Sequence, residues 1–339
     1  MAAKLLSYHI VVLIVVNNNE QTSPYICISV SIIMKTGCNK TINRTSICIA
    51  IVAMCFMLTS CQKVVHINLG SSPPELVVQG AIETGQPPYV MLTTTIGYFA
   101  KVNLGTLQNF FVHNAVVTIS DGTKTITLKE YTLDTTGNNK FYVYSVDTAN
   151  LSNVMTGIVG KSYTLTITYN GATYSSVTKI PNPKGLDTLW FAAPSVSSSG
   201  TPLNARELFG TYTDPDTLGN YVRYFTQRNH RDAFYPGVVF SDELVNGKRV
   251  TDIDLFAGYN DSVNVKVDSV IYFYSGDTVT LKWCEIDKGV YDFWNTYQFS
   301  LQSGGNPFSS PINVKSNISN GALGIWAGYG SLYTTLVVK

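Results

Sequence analysis

The chain has 339 residues, of which 45% are hydrophobic and 13% are charged, so it can bury the cores of two ordinary domains. Its 23 basic and 22 acidic residues give no clustered basic face, and we expect no nucleic-acid partner. Thr, Ser, Asn, Tyr and Val are abundant, which is typical of strands joined by tight turns and predicts an all-β protein.

A secretion signal is predicted near the amino terminus. A basic leader that begins at Met34 is followed by an apolar run from Ile47 to Leu58, and then by Thr59, Ser60 and Cys61. The apolar run has about a dozen residues, whereas a helix that crosses a bilayer takes roughly 20. We therefore predict a removable signal peptide over 34–60, cleaved between Ser60 and Cys61.

Leu58-Thr59-Ser60-Cys61 matches the lipobox of bacterial lipoproteins, in which the cysteine sulfur receives diacylglycerol. The alternative is a plain signal peptide that ends near a cysteine by chance. Acyl chains on Cys61 would hold the protein at a membrane surface, because each buried CH₂ contributes about 0.8 kcal/mol. Gln62 in place of Asp favours the outer membrane, and the sequence leaves open whether the protein faces the periplasm or the cell exterior.

Residues 1–33 carry an earlier apolar run without a cleavage pattern, and we expect them to be an over-extended start with Met34 as the initiator. Residues 61–74 are predicted to form a tether. If Cys61 is lipidated, Cys284 is the one thiol left in the mature chain, and we expect it to be a small buried hydrophobe in a strand.

Residues 75–180 predict an immunoglobulin-like β-sandwich. About seven short strand patterns follow one another there, with two-residue hairpins expected at Asp121-Gly122 and Asn170-Gly171. The strands are predicted at Leu76–Ile82, Tyr89–Thr95, Ala115–Ile119, Thr123–Lys129, Phe141–Val146, Tyr163–Tyr169 and Thr173–Ile180.

Pro181-Asn182-Pro183-Lys184-Gly185 interrupts the pattern, and we place a domain boundary there. Residues 186–339 predict a second β-rich sandwich domain with one helix from Lys288 to Gln302, capped by Asp287, whose aromatic stripe is expected to be buried. Its strands are predicted at Leu186–Ala192, Arg206–Tyr212, Tyr221–Gln227, Val263–Tyr274 and Thr278–Glu285.

Several short motifs in one order resemble the Bacteroidota outer-membrane lipoproteins grouped as domain of unknown function 4249. The carrying motifs are Val77-Val78-Gln79-Gly80, Asp214-Pro215-Asp216, Gly276-Asp277-Thr278-Val279, Tyr291-Asp292-Phe293-Trp294, Asn306-Pro307-Phe308, Ser316-Asn317-Ile318 and Gly324-Ile325-Trp326-Ala327-Gly328-Tyr329. The resemblance covers about residues 61–339, with Asp216 and Trp326 departing from the usual pattern. It implies an accessory part beside TonB-dependent receptors in nutrient capture, and no reaction.

The chemistry-bearing residues form no catalytic, cofactor or metal motif, so none is predicted. His66, His113 and His230 are isolated, and no nucleophile elbow or phosphate loop occurs. Asp214/Asp216 and Asp252/Asp254 are acidic pairs that suit turn capping better than calcium binding. Glu243 and Glu285 are candidates for glycoside hydrolysis by residue type alone.

Two sets of residues remain as candidate sites. A ligand surface would involve exposed aromatic and basic side chains at Trp326, Tyr329, Arg228, Arg231 and Tyr235. O-glycosylation after Asp would fall at Thr135, Thr148, Thr188, Thr217, Ser262, Ser269 and Thr278, although Asp-Thr also starts strands in a Thr-rich protein.

The leading hypothesis is a non-catalytic, lipid-anchored outer-membrane binding or accessory protein that works with a TonB-dependent receptor. A surface adhesin or structural component is one alternative, and a glycan or peptide hydrolase is another. The ligand, whether small molecule, peptide or glycan, is not specified by the sequence.

Overall fold

The computed structural model describes residues 9–11, 29–31, 73–96, 103–134, 140–150, 154–194, 201–230, 234–255, 272–303 and 312–339. The chain divides into two compact units, Met1–Leu69 and Gly70–Lys339. In the first unit, strands β1 (His9–Val11) and β2 (Ser29–Ser31) pair antiparallel. Among the described helices, none has the length and hydropathy needed to span a membrane.

The second unit begins with eight strands and a short helical segment. In chain order these are β3 (Leu76–Glu83), β4 (Tyr89–Thr94), α1 (Leu104–Leu107) with a 3₁₀ turn (Gln108–Phe110), β5 (Val116–Ser120), β6 (Thr125–Thr127), β7 (Lys129–Asp134), β8 (Lys140–Ser145), β9 (Ser162–Tyr169) and β10 (Ala172–Lys179). Strands β10-β9-β5-β6 form one sheet, and β3-β4-β8-β7 form one end of an eight-stranded sheet.

The carboxy-terminal half supplies the other end of that large sheet and covers it. Its elements are β11 (Thr188–Ala192), β12 (Ala205–Thr213), β13 (Tyr221–Arg228), β14 (Tyr235–Ser241), β15 (Arg249–Asp254), β16 (Phe273–Tyr274), β17 (Thr278–Ile286), α2 (Lys288–Ser303) and β18 (Leu323–Val337). The large sheet runs β14-β13-β17-β18-β3-β4-β8-β7, while β11-β12-β15 form a separate sheet with β16 paired to β12.

Three apolar cores hold these layers together. The first lies between the β10-β9-β5-β6 sheet and the large sheet, and includes Val78, Leu165 and Trp326. The second packs the β11-β12-β15 sheet on the β13-β17 end of the large sheet. The third packs α2 against the opposite face, with Cys284 and Phe293 buried there. The expected all-β sandwich fold is confirmed.

The boundary expected at Pro181–Gly185 does not separate two compact units. Strand β18 joins the halves, because its first part pairs in parallel with β3 and its second part pairs antiparallel with β17. Pairing with both strands places β18 at the centre of the large sheet, with its first half buried. Residues 75–180 and 186–339 therefore each contribute four strands to one shared sheet and a separate smaller sheet that packs on it.

Two glycines of β18 are required by the backbone that passes close to the strand. A Cβ at Gly328 would lie 2.4 Å from the Lys179 carbonyl oxygen, and one at Gly330 would lie 2.2 Å from the Pro181 carbonyl oxygen. Real Cβ atoms do not approach backbone so closely, so these positions need glycine. The segment after β10 crosses β18 at this point and continues toward β11.

The two predicted hairpins differ in outcome. Asn170 and Gly171 have φ of +49° and +77° and join β9 to β10, with Tyr169 opposite Ala172, as a two-residue turn requires. Between β5 and β6 the loop is longer, because the Asp121 carboxylate accepts the backbone N–H groups of Thr123 and Lys124. The single strand predicted at Thr123–Lys129 is divided at Leu128. Strand β6 before it pairs with β5, and β7 after it belongs to the eight-stranded sheet.

Helix α2 agrees with the prediction in position and cap but not in the extent of its buried stripe. The Asp287 carboxylate accepts the Val290 backbone N–H at 2.9 Å. Val290 and Phe293 are buried, whereas Tyr297 is 39% and Leu301 63% exposed. The fully buried residues of the helix are therefore confined to its amino-terminal half. Strands β14, β15 and β18 were not predicted, and most of Val263–Tyr274 lies outside the described residues.

Candidate functional site

Charged and aromatic side chains collect on the helix-facing side of the large sheet. Strand register places Arg223 opposite Cys284 and Phe225 opposite Lys282, while Tyr329 is the parallel partner of Glu83. Side chains alternate between the two faces of a strand, so Val222 and Tyr224 enter the opposite core. We call the group the cationic–aromatic cluster; it consists of Arg223, Phe225, Lys282, Glu83, Trp294, Tyr329 and Tyr333.

Arg223 is the most buried charge of the cluster, with 3% of the residue exposed. Its guanidinium carbon lies 3.5 Å from the centroid of the Trp294 ring and 4.9 Å from that of Phe225. Its Nη1 donates to the Tyr329 hydroxyl at 3.2 Å, and Trp294 Nε1 donates to the same oxygen at 3.1 Å. Aromatic faces thus stabilise the cation in place of water.

Lys282 has a carboxylate partner. Its ammonium lies 2.9 Å from Oε2 of Glu83 and 4.4 Å from the centroid of the Phe225 ring. The other Glu83 oxygen accepts the Tyr333 hydroxyl. Both oxygens of this carboxylate are therefore occupied, by Lys282 and Tyr333.

Arg223 forms no ion pair of its own among the described residues. Its Nε is buried without a hydrogen-bond partner. A buried charge or donor left without a partner costs free energy, and native proteins seldom keep one without a reason. This unmatched guanidinium is the electrostatic feature that distinguishes the cluster from ordinary core packing.

Cys284 borders the cluster but offers no nucleophile. It is fully buried, and its Sγ lies 3.2 Å from the Ser331 hydroxyl. Burial raises the pKa of the thiol to about 12, so the thiolate that would react is not formed near neutral pH. The cluster therefore offers charged groups, hydroxyls and flat aromatic rings, and its neighbouring thiol is not reactive.

Among the residues predicted to form a ligand surface, the structure separates core from cluster. Trp326 is fully buried, donates its indole N–H to the Tyr163 carbonyl at 3.0 Å, and is not a surface residue. Tyr329 belongs to the cluster at 6% exposure. Arg228 reaches the Tyr272 carbonyl at 3.4 Å, and Tyr235 begins β14. Arg231 lies outside the described residues.

The acidic candidates lie elsewhere, around the β12–β13 connection. The Asp214 carboxylate accepts the Gly247 backbone N–H at 3.1 Å, which is a loop-capping role. Glu285 is 4% exposed, accepts the Lys184 N–H, and has its pKa raised to about 7, chiefly by burial and then by Asp214 and Asp242. Glu243 is exposed on the loop that follows β14. Within the described ranges, no three His, Cys, Asp or Glu side chains are placed to hold a metal ion.

The predicted modification sites are only partly described. Thr148, Thr188 and Thr217 are exposed and Thr278 is half-buried. Ser60, Cys61, Thr135, Ser262 and Ser269 lie outside the described residues, as does His66. His113 contacts Glu130 and the Tyr142 ring, and His230 follows β13.

Sequence reasoning missed Arg223 and Lys282, although each leaves a signal. Each is the one cation in a strongly apolar segment of its strand, Tyr221-Val222-Arg223-Tyr224-Phe225 in β13 and Leu281-Lys282-Trp283-Cys284 in β17. A charge in such a strand is rarely buried unless it is paired. The pattern marks the positions, but the lack of a partner at Arg223 depends on which strands become neighbours.

The fold and the cluster define an all-β sandwich protein with a cationic–aromatic cluster around a buried arginine. The chain belongs to the family described as domain of unknown function (DUF4249), whose model matches residues 62–334. It matches no curated protein. Motifs of the expected resemblance have structural roles here: the Asn317 side chain bonds both the N–H and the carbonyl of Trp326, and Trp294 contacts Arg223.

Proposed function

We propose that this chain is a non-catalytic, lipid-anchored binding or accessory protein of the outer membrane that acts beside a TonB-dependent receptor in nutrient uptake. The observation that carries the proposal is the lipobox Leu58-Thr59-Ser60-Cys61, which follows a basic leader and a short apolar run in register. The compact unit begins at Gly70, only a few residues after Cys61, the residue that would carry the acyl chains. A short tether would then hold the sandwich close to the lipid surface.

Two further observations support binding over catalysis. The cationic–aromatic cluster contains a guanidinium, flat rings and hydroxyl groups, which are groups that recognise a ligand. Its thiol is held neutral by burial. The hydrolase candidates Glu285 and Glu243 differ sharply in exposure, since Glu285 is enclosed and Glu243 lies on a surface loop. They do not present a pair of accessible carboxylates.

Lipidation is tested with Cys61→Ala expressed in a bacterial host that carries the lipoprotein pathway. We expect the parent chain to incorporate labelled palmitate and to fractionate with the outer membrane, and the variant to lose the label. Cys55→Ala, within the apolar run, is the matched control and should be labelled like the parent. A labelled Cys61→Ala protein would refute the anchor.

Association with a receptor is tested separately by cross-linking whole cells and purifying the tagged full chain. The expected result is a TonB-dependent barrel receptor recovered with the parent chain and lost with Cys61→Ala. Recovery of the chain without any barrel receptor would reject the accessory role while leaving the anchor intact.

A further inference from the structure

The guanidinium of Arg223 has one edge that the fold leaves unused. Nη1 is occupied by the Tyr329 hydroxyl, and Nε, on the other side of the planar group, is buried without a partner. In a guanidinium, the N–H bonds of Nε and Nη2 point the same way and form a two-donor edge. That edge matches the two oxygens of a carboxylate.

The charges around this edge are unequal. The Tyr329 hydroxyl accepts from Nη1 and from Trp294, so it belongs to the side of the guanidinium that the fold already uses. Lys282 lies within 5 Å of the Phe225 ring centroid, as does the Arg223 guanidinium, and it adds a second positive charge. Against these two cations the cluster sets only Glu83.

We propose that Arg223 is the anchor of a binding site for a ligand carboxylate, held in two hydrogen bonds by the Nε–Nη2 edge. This deepens the proposed binding function and rests on it. The ligand supplies the ion-pair partner that Arg223 lacks among the described residues, and the rings of Trp294 and Phe225 favour a ligand whose carboxylate is joined to a flat apolar group.

The burial of Nε sets a condition on binding. Because this atom is closed to solvent, a carboxylate reaches it only when the atoms that cover it move aside. The Trp294 ring lies 3.5 Å from the guanidinium carbon and is itself only partly buried on α2, so it is close enough to sense a negative charge bound at the edge. Binding is therefore expected to change the fluorescence of Trp294, a change that Trp294→Phe should remove.

The experiment titrates the purified full chain with benzoate and follows the Nε–H resonance of Arg223, assigned by its loss in Arg223→Lys. We expect benzoate to shift this resonance and benzamide, the neutral analogue, to leave it in place. Arg223→Lys keeps the charge but not the two-donor edge, and should weaken benzoate binding about tenfold or more. Arg249→Met, on the exposed strand β15, is the matched control and should bind like the parent.

The same titration separates possible ligand sources and rivals. A tripeptide ending in Phe, with a free or an amidated carboxyl terminus, tests a peptide source against the small aromatic acid; binding by either carboxylate supports the inference. Equal binding of benzamide, binding of sulfate alone, or unchanged affinity in Arg223→Lys would overturn it. If Arg223→Lys does not fold, Arg223→Gln, which also lacks the two-donor edge, replaces it and should likewise weaken benzoate binding.

The result is independent of anchoring. Carboxylate binding by a chain that fails the palmitate test would keep this site and remove the lipoprotein role. A lipidated chain that ignores every carboxylate probe would keep the lipoprotein role and remove this site.

Discussion

Gly80 and Trp326 are direct partners in the parallel pairing of β3 with β18, and the glycine lies against the indole. A Cβ at Gly80 would come within 2.9 Å of Trp326 Cε3. The ring is fully buried and fixed by its bond to the Tyr163 carbonyl, so it has little room to move. Two motifs far apart in sequence are thus one packing arrangement.

Gly80→Ala should therefore destabilise the protein by about 1–3 kcal/mol, the usual cost of overpacking a filled core. The measurement is the free energy of unfolding from denaturant titration. Gly105→Ala is the control, because its Cβ would meet only ordinary contacts at 3.4 Å. Equal stability of the two variants would contradict the close approach.

Asp287→Ala should lower the free energy of unfolding by about 1–2 kcal/mol or more, since the residue caps α2 and ties it to the sheet. Besides the cap, its carboxylate accepts the Thr178 hydroxyl at 2.6 Å and the Lys179 N–H at 2.9 Å. Lys288→Ala, which removes only an exposed pair with Asp292, should change little. Thermal unfolding of both variants checks this. Lower stability in Lys288→Ala but not in Asp287→Ala would show that Asp287 does not hold the helix to the sheet.

Glu285 predicts that stability falls as pH rises. Its folded pKa of about 7 is above the ordinary value of 4.5, so the folded state holds a proton that the unfolded chain releases earlier. The favourable contribution is complete below about pH 4.5 and is lost as pH passes 7, amounting to at most about 3 kcal/mol. Glu285→Gln should therefore be more stable than the parent at pH 8.

The test compares unfolding free energies at pH 5 and pH 8. Some pH dependence should remain in Glu285→Gln, because burial also raises the pKa of Asp214. Glu243→Gln, on the exposed loop, serves as control and should follow the parent at both pH values. The prediction is contradicted if the unfolding free energy changes between pH 5 and pH 8 by the same amount in the parent and in Glu285→Gln.

The Cys284 thiol should resist alkylation in the folded protein. Burial raises its pKa to about 12 and closes it to reagents. Iodoacetamide at pH 8 should modify the Cys284 peptide only after denaturation, as read by mass spectrometry. Leu244→Cys, at a position that is 87% exposed, should react at once under the same conditions. Rapid native modification of Cys284 would show that this part of the sheet opens.

Features that depend on residues close together in the sequence were predictable from the sequence. The Asn170-Gly171 turn follows from two residues that accept positive φ, and the Asp287 cap follows from a carboxylate beside the first turn of an apolar-striped helix. The strand patterns of β3, β12, β13 and β17 follow from alternation and β-branched composition. Each is decided within a few residues of chain.

Strand order and the candidate site required the tertiary structure. No local pattern predicts that β18 lies between β3 and β17. Its pairing with β3 joins residues more than 200 positions apart, and it depends on which faces become buried. The sequence marks Arg223 as a charge in an apolar strand, and only the register shows that Glu83 is taken by Lys282 and Tyr333. A charge is unmatched only by reference to its neighbours in space, and those neighbours are set by long-range packing.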